Sequence, residues 1–278
     1  MAMPPLVISI QSQVVHGHVG NSAAVFPMLA AGMEVAPIPT VIFSNTPVYP
    51  TRRGQALDPD FFADLLRGAE ERGLPARAAF IVTGYIGSLE VARLTADFVR
   101  RARALNPGLT YLCDPVMGDV YPGLYVPEEI AAVIREELLP MADIATPNPF
   151  ELHYLTGTAV ETLADLPRAA EQLGLAKGAH LIATGCRLAE TAPGHIETLV
   201  YGPSGLSRHP VAHIPVSLGG TGDLFAGLIT AGLGAGRALA EAVDLAQVQM
   251  TRAITEAQRL GRSEVALSAA EFRAALLC

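Results

Sequence analysis

The residues best suited to chemistry sit in one glycine loop and a few short acidic segments. Gly219-Gly220-Thr221-Gly222-Asp223 runs straight into the apolar stretch Leu224-Phe225-Ala226-Gly227. Glycines at a helix start leave backbone N–H groups free, and that end of a helix attracts anions. Asp223 would repel a phosphate held there. It makes sense as a base beside a transferring phosphoryl group, aimed at a hydroxyl nucleophile. Thr221 or Asp223 can equally serve as a plain helix cap, and the loop alone leaves both readings open. Phe225 replaces the third glycine of a dinucleotide fingerprint.

Asp114 and Asp119 flank the Pro115–Gly118 turn, where two carboxylates can meet Mg²⁺ or its waters beside phosphates. An ordinary Asp-rich turn has the same composition. In Thr146-Pro147-Asn148-Pro149-Phe150-Glu151, Asn148 and Glu151 fall at the N-cap and N3 positions of a capping box. A water-mediated Mg²⁺ ligand is the alternative use of Glu151. His16 and His18 form a His-x-His pair that would suit a metal hydrolase, but no carboxylate partner at a strand end accompanies it. No Gly-x-Ser-x-Gly elbow is present, and Cys186 has no His or basic cluster paired with it in sequence.

The 278 residues carry 19 Lys+Arg against 27 Asp+Glu, a net charge of −8, which argues against nucleic acid as a partner. Lys177 is the sole lysine and follows no glycine-rich loop, so a P-loop is excluded, and a kinase strand lysine is missing. Any bound phosphate must then be held by backbone amides, metal, Arg or hydroxyl groups. From Met1 to Thr51 the only charged residue of the Asp, Glu, Lys and Arg set is Glu34. Polar residues from Gln11 to Ser22 break that stretch, and no basic region precedes Leu6. It therefore reads as neither export signal nor membrane span. Cys113, Cys186 and Cys278 make no even disulfide framework, and a reducing cytoplasm is the expectation.

These segments need elements to position them, and short apolar runs alternate with helical patterns throughout. Strands are expected at 6–11, 35–43, 78–83, 110–114, 143–146 and 180–184, with a hairpin at 196–201 and 207–211. Pro37 and Pro39 make the second strand irregular or place it at an edge. Helices are expected at 21–32, 58–72, 88–105, 127–139, 150–156, 163–173, 221–235, 239–256 and 269–276. This alternation predicts an α/β fold: a three-layer αβα sandwich around a central, mostly parallel sheet, in a single domain over 1–278. Ligands bind beyond the carboxyl ends of such strands, where polar residues, Gly and Pro cluster in this chain.

In this order the segments resemble the ribokinase-like superfamily and, within it, the pyridoxal kinases, along nearly the whole chain. Gln11-Ser12-Gln13 with Gly17-His18-Val19-Gly20-Asn21, Phe43-Ser44-Asn45, Gly84-Tyr85-Ile86-Gly87 and Cys113-Asp114-Pro115-Val116-Met117-Gly118 carry the resemblance. Thr146-Pro147-Asn148-x-Phe150-Glu151 and Gly220-Thr221-Gly222-Asp223 complete it.

It implies ATP-dependent phosphorylation of the 5′-hydroxyl of pyridoxal, pyridoxine or pyridoxamine, with Mg²⁺ and a monovalent cation, K⁺ or Na⁺. Asp223 would be the base, and the amides of Gly220, Thr221 and Gly222 the anion hole. Ser12, Val19, Phe43 and Tyr85 would face the vitamin ring. Asp114, Asn148 and Thr184 would line the phosphates, and Ile214 to Val216 the adenine. Tyr125 belongs to a flap, Gly118 to Val126. Asp119 and Glu151 would serve Mg²⁺, and Asp119, Thr146 and Thr184 the monovalent cation. A cytoplasmic homodimer is implied. The hydroxymethylpyrimidine kinases share the fold and the loop. A non-catalytic vitamin-binding protein would have no need of Asp223 beside Asp114 and Asp119. The chain departs from the common pyridoxal kinase pattern at Thr46-Pro47, where His-Thr is usual, and at Arg52, where Trp is common.

Overall fold

A computed structural model describes residues 3–277. Met1, Ala2 and Cys278 lie outside the described residues. The strands are β1 (Leu6–His16), β2 (Glu34–Asn45), β3 (Gly54–Ala56), β4 (Ala78–Thr83), β5 (Thr110–Cys113), β6 (Gly118–Asp119), β7 (Gly123–Leu124), β8 (Ile144–Ala145), β9 (His180–Cys186), β10 (His195–Gly202) and β11 (Gly205–Ala212). The helices are α1 (Asn21–Ala30), α2 (Pro59–Glu71), α3 (Leu74–Arg77), α4 (Leu89–Leu105), α5 (Glu128–Val133), α6 (Pro149–Thr156), α7 (Leu166–Gln172), α8 (Thr221–Gly234), α9 (Leu239–Arg259) and α10 (Ala270–Leu277).

One nine-stranded sheet has the order β11-β10-β9-β8-β5-β4-β1-β2-β3. From β9 to β2 neighbours run parallel, and β10, β11 and β3 add antiparallel edges. Alternation along β1 divides the core in two. Leu6, Ile8 and Ile10 face α2, α4, α5, α6 and α7, while Val7 faces α1, α8, α9 and α10. This is the αβα sandwich expected from the sequence. Each fully buried Leu, Ile or Phe here contributes about 1.5–3 kcal/mol.

The winding reverses at β1. The chain leaves β1 through α1 on one face to reach β2, then returns over the other face through α2 to place β4 on the opposite flank. A crevice opens beyond the carboxyl ends at such a reversal. α8 delivers its N-terminus to that side because it lies very close to α1. A Cβ at Gly227 would stand 2.6 Å from the Ala24 carbonyl oxygen.

Several elements differ from the sequence expectation. β1 continues to His16, because Gln11 and Ser12 are buried and Gln11 Nε2 donates to Ser9 Oγ at 2.9 Å. A register shift between Gln11 and Gln13 then lets the extension pair with Ile42 to Asn45. Pro37 and Pro39 pair only with β1, since β3 joins β2 from Val41 onward. Their missing N–H groups therefore face the open edge. The 127–139 helix breaks at Val133 into a π turn, Ile134–Leu138, and a 3₁₀ turn holding Pro140. The hairpin β6–β7 and the short β3 and α3 have no counterpart in the sequence reading.

Candidate active site

Asp223 enters the crevice from the first turn of α8. Gly220 is the N-cap at φ 83°, and no side chain caps the helix. A Cβ on Gly220 would collide with the His18 carbonyl oxygen, so glycine is required on both counts. The plain-cap reading of Thr221 and Asp223 is thereby removed, and the N–H groups of Thr221 and Gly222 stay open to an anion. Asp223 is buried, and its Oδ1 has no partner among the described residues. Burial pushes its carboxyl above the ordinary range, while the backbone N–H of Gly20 and its own N–H pull it down.

Asp114 lies just past β5. Its Oδ1 accepts from Thr146 Oγ1 at 2.9 Å, and its Oδ2 is buried without a partner. A Cβ on Gly222 would stand 3.5 Å from that Oδ2, so Asp114 looks onto the glycine loop. Burial first, then the negative charge of Asp223, push the Asp114 carboxyl up to about 7. Two buried carboxylates with free oxygens beside an open helix N-terminus make a donor set that suits a cation. Hard carboxylate oxygens suit Mg²⁺ shared with phosphates. Among the described residues no three His, Cys, Asp or Glu form a cage by themselves.

Glu151 realises the capping box and also reaches further. Its Oε2 accepts from Asn148 N at 2.9 Å and its Oε1 from Met117 N at 3.0 Å. Both oxygens are thus engaged. Its carboxyl is raised well above the ordinary range, by burial first and then by Asp114. Asn148 Nδ2 donates to Gly118 O at 2.8 Å, so this helix start anchors the base of the β6–β7 flap. Asp119 is exposed on the flap and accepts from Val120 N at 2.7 Å. Tyr125 closes the flap through its N–H to Met117 O at 2.9 Å. Its hydroxyl is pushed up by burial first and then by the negative charges of Glu151, Asp114, Asp223 and Asp119.

Thr184 lies inside β9 rather than at its end, and its N–H donates to Pro147 O at 3.0 Å. Ile214 and Val216 sit half-buried in the loop between β11 and α8. A cavity of about 220 Å³ at the start of that loop is lined by Arg187, Leu188, Pro193, His195 and His213.

Of the four residues expected to face the ring, Ser12 and Val19 lie on the glycine-loop side, and Phe43 and Tyr85 lie around Arg52. A Cβ on Gly20 would collide with the carbonyl and hydroxyl oxygens of Ser12, which sets Ser12 beside the turn that faces Asp223. Val19 Cγ1 lies 3.8 Å from the place a Cβ on Gly219 would take. The Arg52 guanidinium stacks on Phe43 at 4.2 Å, and its charge lowers the Tyr85 hydroxyl, which burial otherwise raises. The Tyr85 and Tyr125 rings lie 6.4 Å apart.

Thr46 is fully buried, with its Oγ1 unpartnered among the described residues. His16 and His18 diverge: His16 Nε2 lies 3.2 Å from Tyr49 Oη, and His18 Nδ1 lies 3.7 Å from Glu264 Oε1. Glu264 is the site neighbour that the sequence reading missed. No local pattern marks it, because it lies 246 positions from His18.

A family model described as phosphomethylpyrimidine kinase matches residues 55–268. A pyridoxal kinase of Rubrobacter xylanophilus is 38% identical over 266 residues, 95% of this chain and 92% of that protein. A pyridoxine/pyridoxal/pyridoxamine kinase of Bordetella bronchiseptica is 36% identical over 270 residues, 96% of this chain and 95% of that one. Pyridoxal kinase from Leishmania donovani, solved with ADP and pyridoxamine, superposes with a TM-score of 0.87 at 31% identity, covering 98% of this chain and 95% of that one.

Proposed function

The chain belongs to the phosphomethylpyrimidine kinase family and, within it, to the pyridoxal kinases, and from that premise we propose how its residues carry out the reaction. The γ-phosphoryl of ATP passes to the 5′-hydroxyl of pyridoxal, pyridoxine or pyridoxamine, giving the 5′-phosphate and ADP. The observation that carries this reading is the free Oδ1 of buried Asp223 beside an uncapped helix N-terminus.

Asp223 accepts the proton of the 5′-hydroxyl as its oxygen bonds to phosphorus. Its raised carboxyl makes it a stronger base than an ordinary carboxylate. The amides of Gly220, Thr221 and Gly222 stabilise the charge that develops on the phosphoryl oxygens. Ser12, Val19, Phe43 and Tyr85 hold the ring so that the hydroxyl lies in line with the phosphoryl group. Ile214 and Val216 border the adenine, and Tyr125 and the flap keep water from the phosphates.

Asp114 would offer its free Oδ2 to Mg²⁺, with Asp119 and Glu151 acting through water, and Asp119, Thr146 and Thr184 would serve a monovalent cation. When bound, these cations would neutralise the phosphates and the facing carboxylates. The enzyme acts as a single domain in a cytoplasmic homodimer.

The test is ADP release in a coupled assay with each B6 vitamer and with hydroxymethylpyrimidine. Vitamer-dependent turnover is expected. Turnover on the pyrimidine alone, or on neither, overturns the reading.

A further inference from the structure

Two segments far apart in sequence meet beneath the glycine loop. The turn from His16 to Gly20 follows β1, and Ser263 to Val265 follow α9. Gly219 N donates to Ser263 O at 3.0 Å, and Val265 N donates to Gly219 O at 3.1 Å. Glu264, 5% exposed, lies between these two bonds and reaches to the other segment. Its Oε2 accepts from His18 N at 3.3 Å. Its Oε1 lies 3.7 Å from His18 Nδ1. Gly17 leaves room for this contact, since a Cβ there would land on the Glu264 carboxylate and the Thr46 methyl.

The turn that Glu264 holds also touches the reacting end of the site. The His18 carbonyl packs on Gly220, and the Gly20 N–H faces Asp223. Gly17 and Gly20 make this turn intrinsically loose, because glycine leaves the backbone its widest range of conformations. The Glu264 carboxylate, which accepts from the His18 amide and lies beside its imidazole, is the side-chain contact that narrows that range.

We propose that Glu264 is a positioning residue for phosphoryl transfer. Its carboxylate fixes the His16–Gly20 turn against the glycine loop, so that the substrate wall, the anion hole and Asp223 keep one geometry. The assignment rests on the kinase reading above. Glu264 touches neither the phosphates nor the base, and acts through the backbone of His18.

The test pairs Glu264→Ala with Glu264→Gln, which keeps an acceptor of the same reach. Glu264→Ala is expected to lower kcat per folded molecule by about tenfold or more, as misplacement of reacting groups does, with KM for ATP unchanged. Glu264→Gln is expected to restore most of kcat. Hydrogen exchange read by peptide mass spectrometry should show lost protection in Glu264→Ala at the 16–22 and 219–223 segments alone, and retained protection in Glu264→Gln.

Unchanged kcat in Glu264→Ala overturns the assignment. So does a loss explained wholly by unfolded protein, a glutamine variant as impaired as the alanine one, or protection lost evenly along the chain. An inactive wild-type protein would refute the kinase reading instead, and the exchange pattern would still decide the clamp.

Discussion

Replacing Asp114 by Asn tests the electrostatics of the crevice. The Asp114 carboxyl rises from an ordinary 3.8 to about 7, by burial first and then by Asp223. Between those values the folded chain keeps a proton that the unfolded chain has lost. The folded state binds more protons, so this group's contribution to stability falls as pH rises from about 4 to about 7. At about 1.4 kcal/mol per pH unit, roughly three units give at most about 4 kcal/mol of destabilisation above pH 7. Asn keeps an acceptor for the Thr146 hydroxyl and carries no charge.

Urea unfolding of the ligand-free protein in EDTA reads the difference directly. Wild type and Asp114→Asn should be nearly equally stable at pH 4.5, and the variant should gain about 2–4 kcal/mol over wild type by pH 8. Added Mg²⁺ and ADP should narrow or reverse that gap, because saturating ligand stabilises the state it binds by about 3 kcal/mol at a hundred times Kd. A difference that stays flat with pH, or a variant less stable at pH 8, refutes the reasoning.

Asp223→Asn should lower kcat by about 10²–10⁴-fold, the range for losing a general base, with ADP affinity unchanged in calorimetry. The wild-type acidic limb of kcat/KM should lie above the ordinary carboxylate range, with activity falling as pH drops, because burial raises Asp223. Gly220→Ala should fold with reduced stability and lose most turnover, since φ 83° and the His18 carbonyl leave no place for a methyl group. Its thermal melt and kcat check this. Arg52→Gln should raise kcat/KM for cationic pyridoxamine relative to pyridoxal by about two- to fivefold, because it removes the positive charge stacked on Phe43. An unchanged vitamer ratio would remove Arg52 from specificity.

The fold was legible wherever elements carried periodicity over several residues. The Asp58 and Ser88 caps sit at the expected helix starts, and Asp58 Oδ1 accepts from Asp60 N and Phe61 N. The flap hairpin was not legible, because β6 and β7 are two residues each and show no period. The β1 extension was hidden for a different reason. Its polar residues look like a loop until Ser9, Gln11 and Asn21 bond to one another in the interior, with Ser9 Oγ donating to Asn21 Oδ1 at 2.7 Å and Gln11 Nε2 donating to Ser9 Oγ at 2.9 Å. Glu264 is legible only in three dimensions, since its partner lies in the first turn of the chain and its position is set by where α9 ends.

The buried polar atoms left without a partner explain why charge is so scarce before Thr51. Among the described residues these atoms are Gln11 Oε1, His18 Nδ1, Thr46 Oγ1, Asp114 Oδ2 and Asp223 Oδ1. An unpaired buried polar atom costs about 1–3 kcal/mol, and more when it is charged. Here that cost gathers around one crevice, where a ligand can offset it, and is absent from the two hydrophobic cores. The five atoms also divide by type. The three from the charge-poor N-terminal segment are amide, imidazole and hydroxyl groups, and His18 Nδ1 among them lies 3.7 Å from the Glu264 carboxylate. The two from β5 and α8 are carboxylates, suited to cations and to a proton leaving a hydroxyl. Under the proposed function, the scarcity of charge before Thr51 belongs to the wall that Ser12, Val19 and Phe43 would give the substrate.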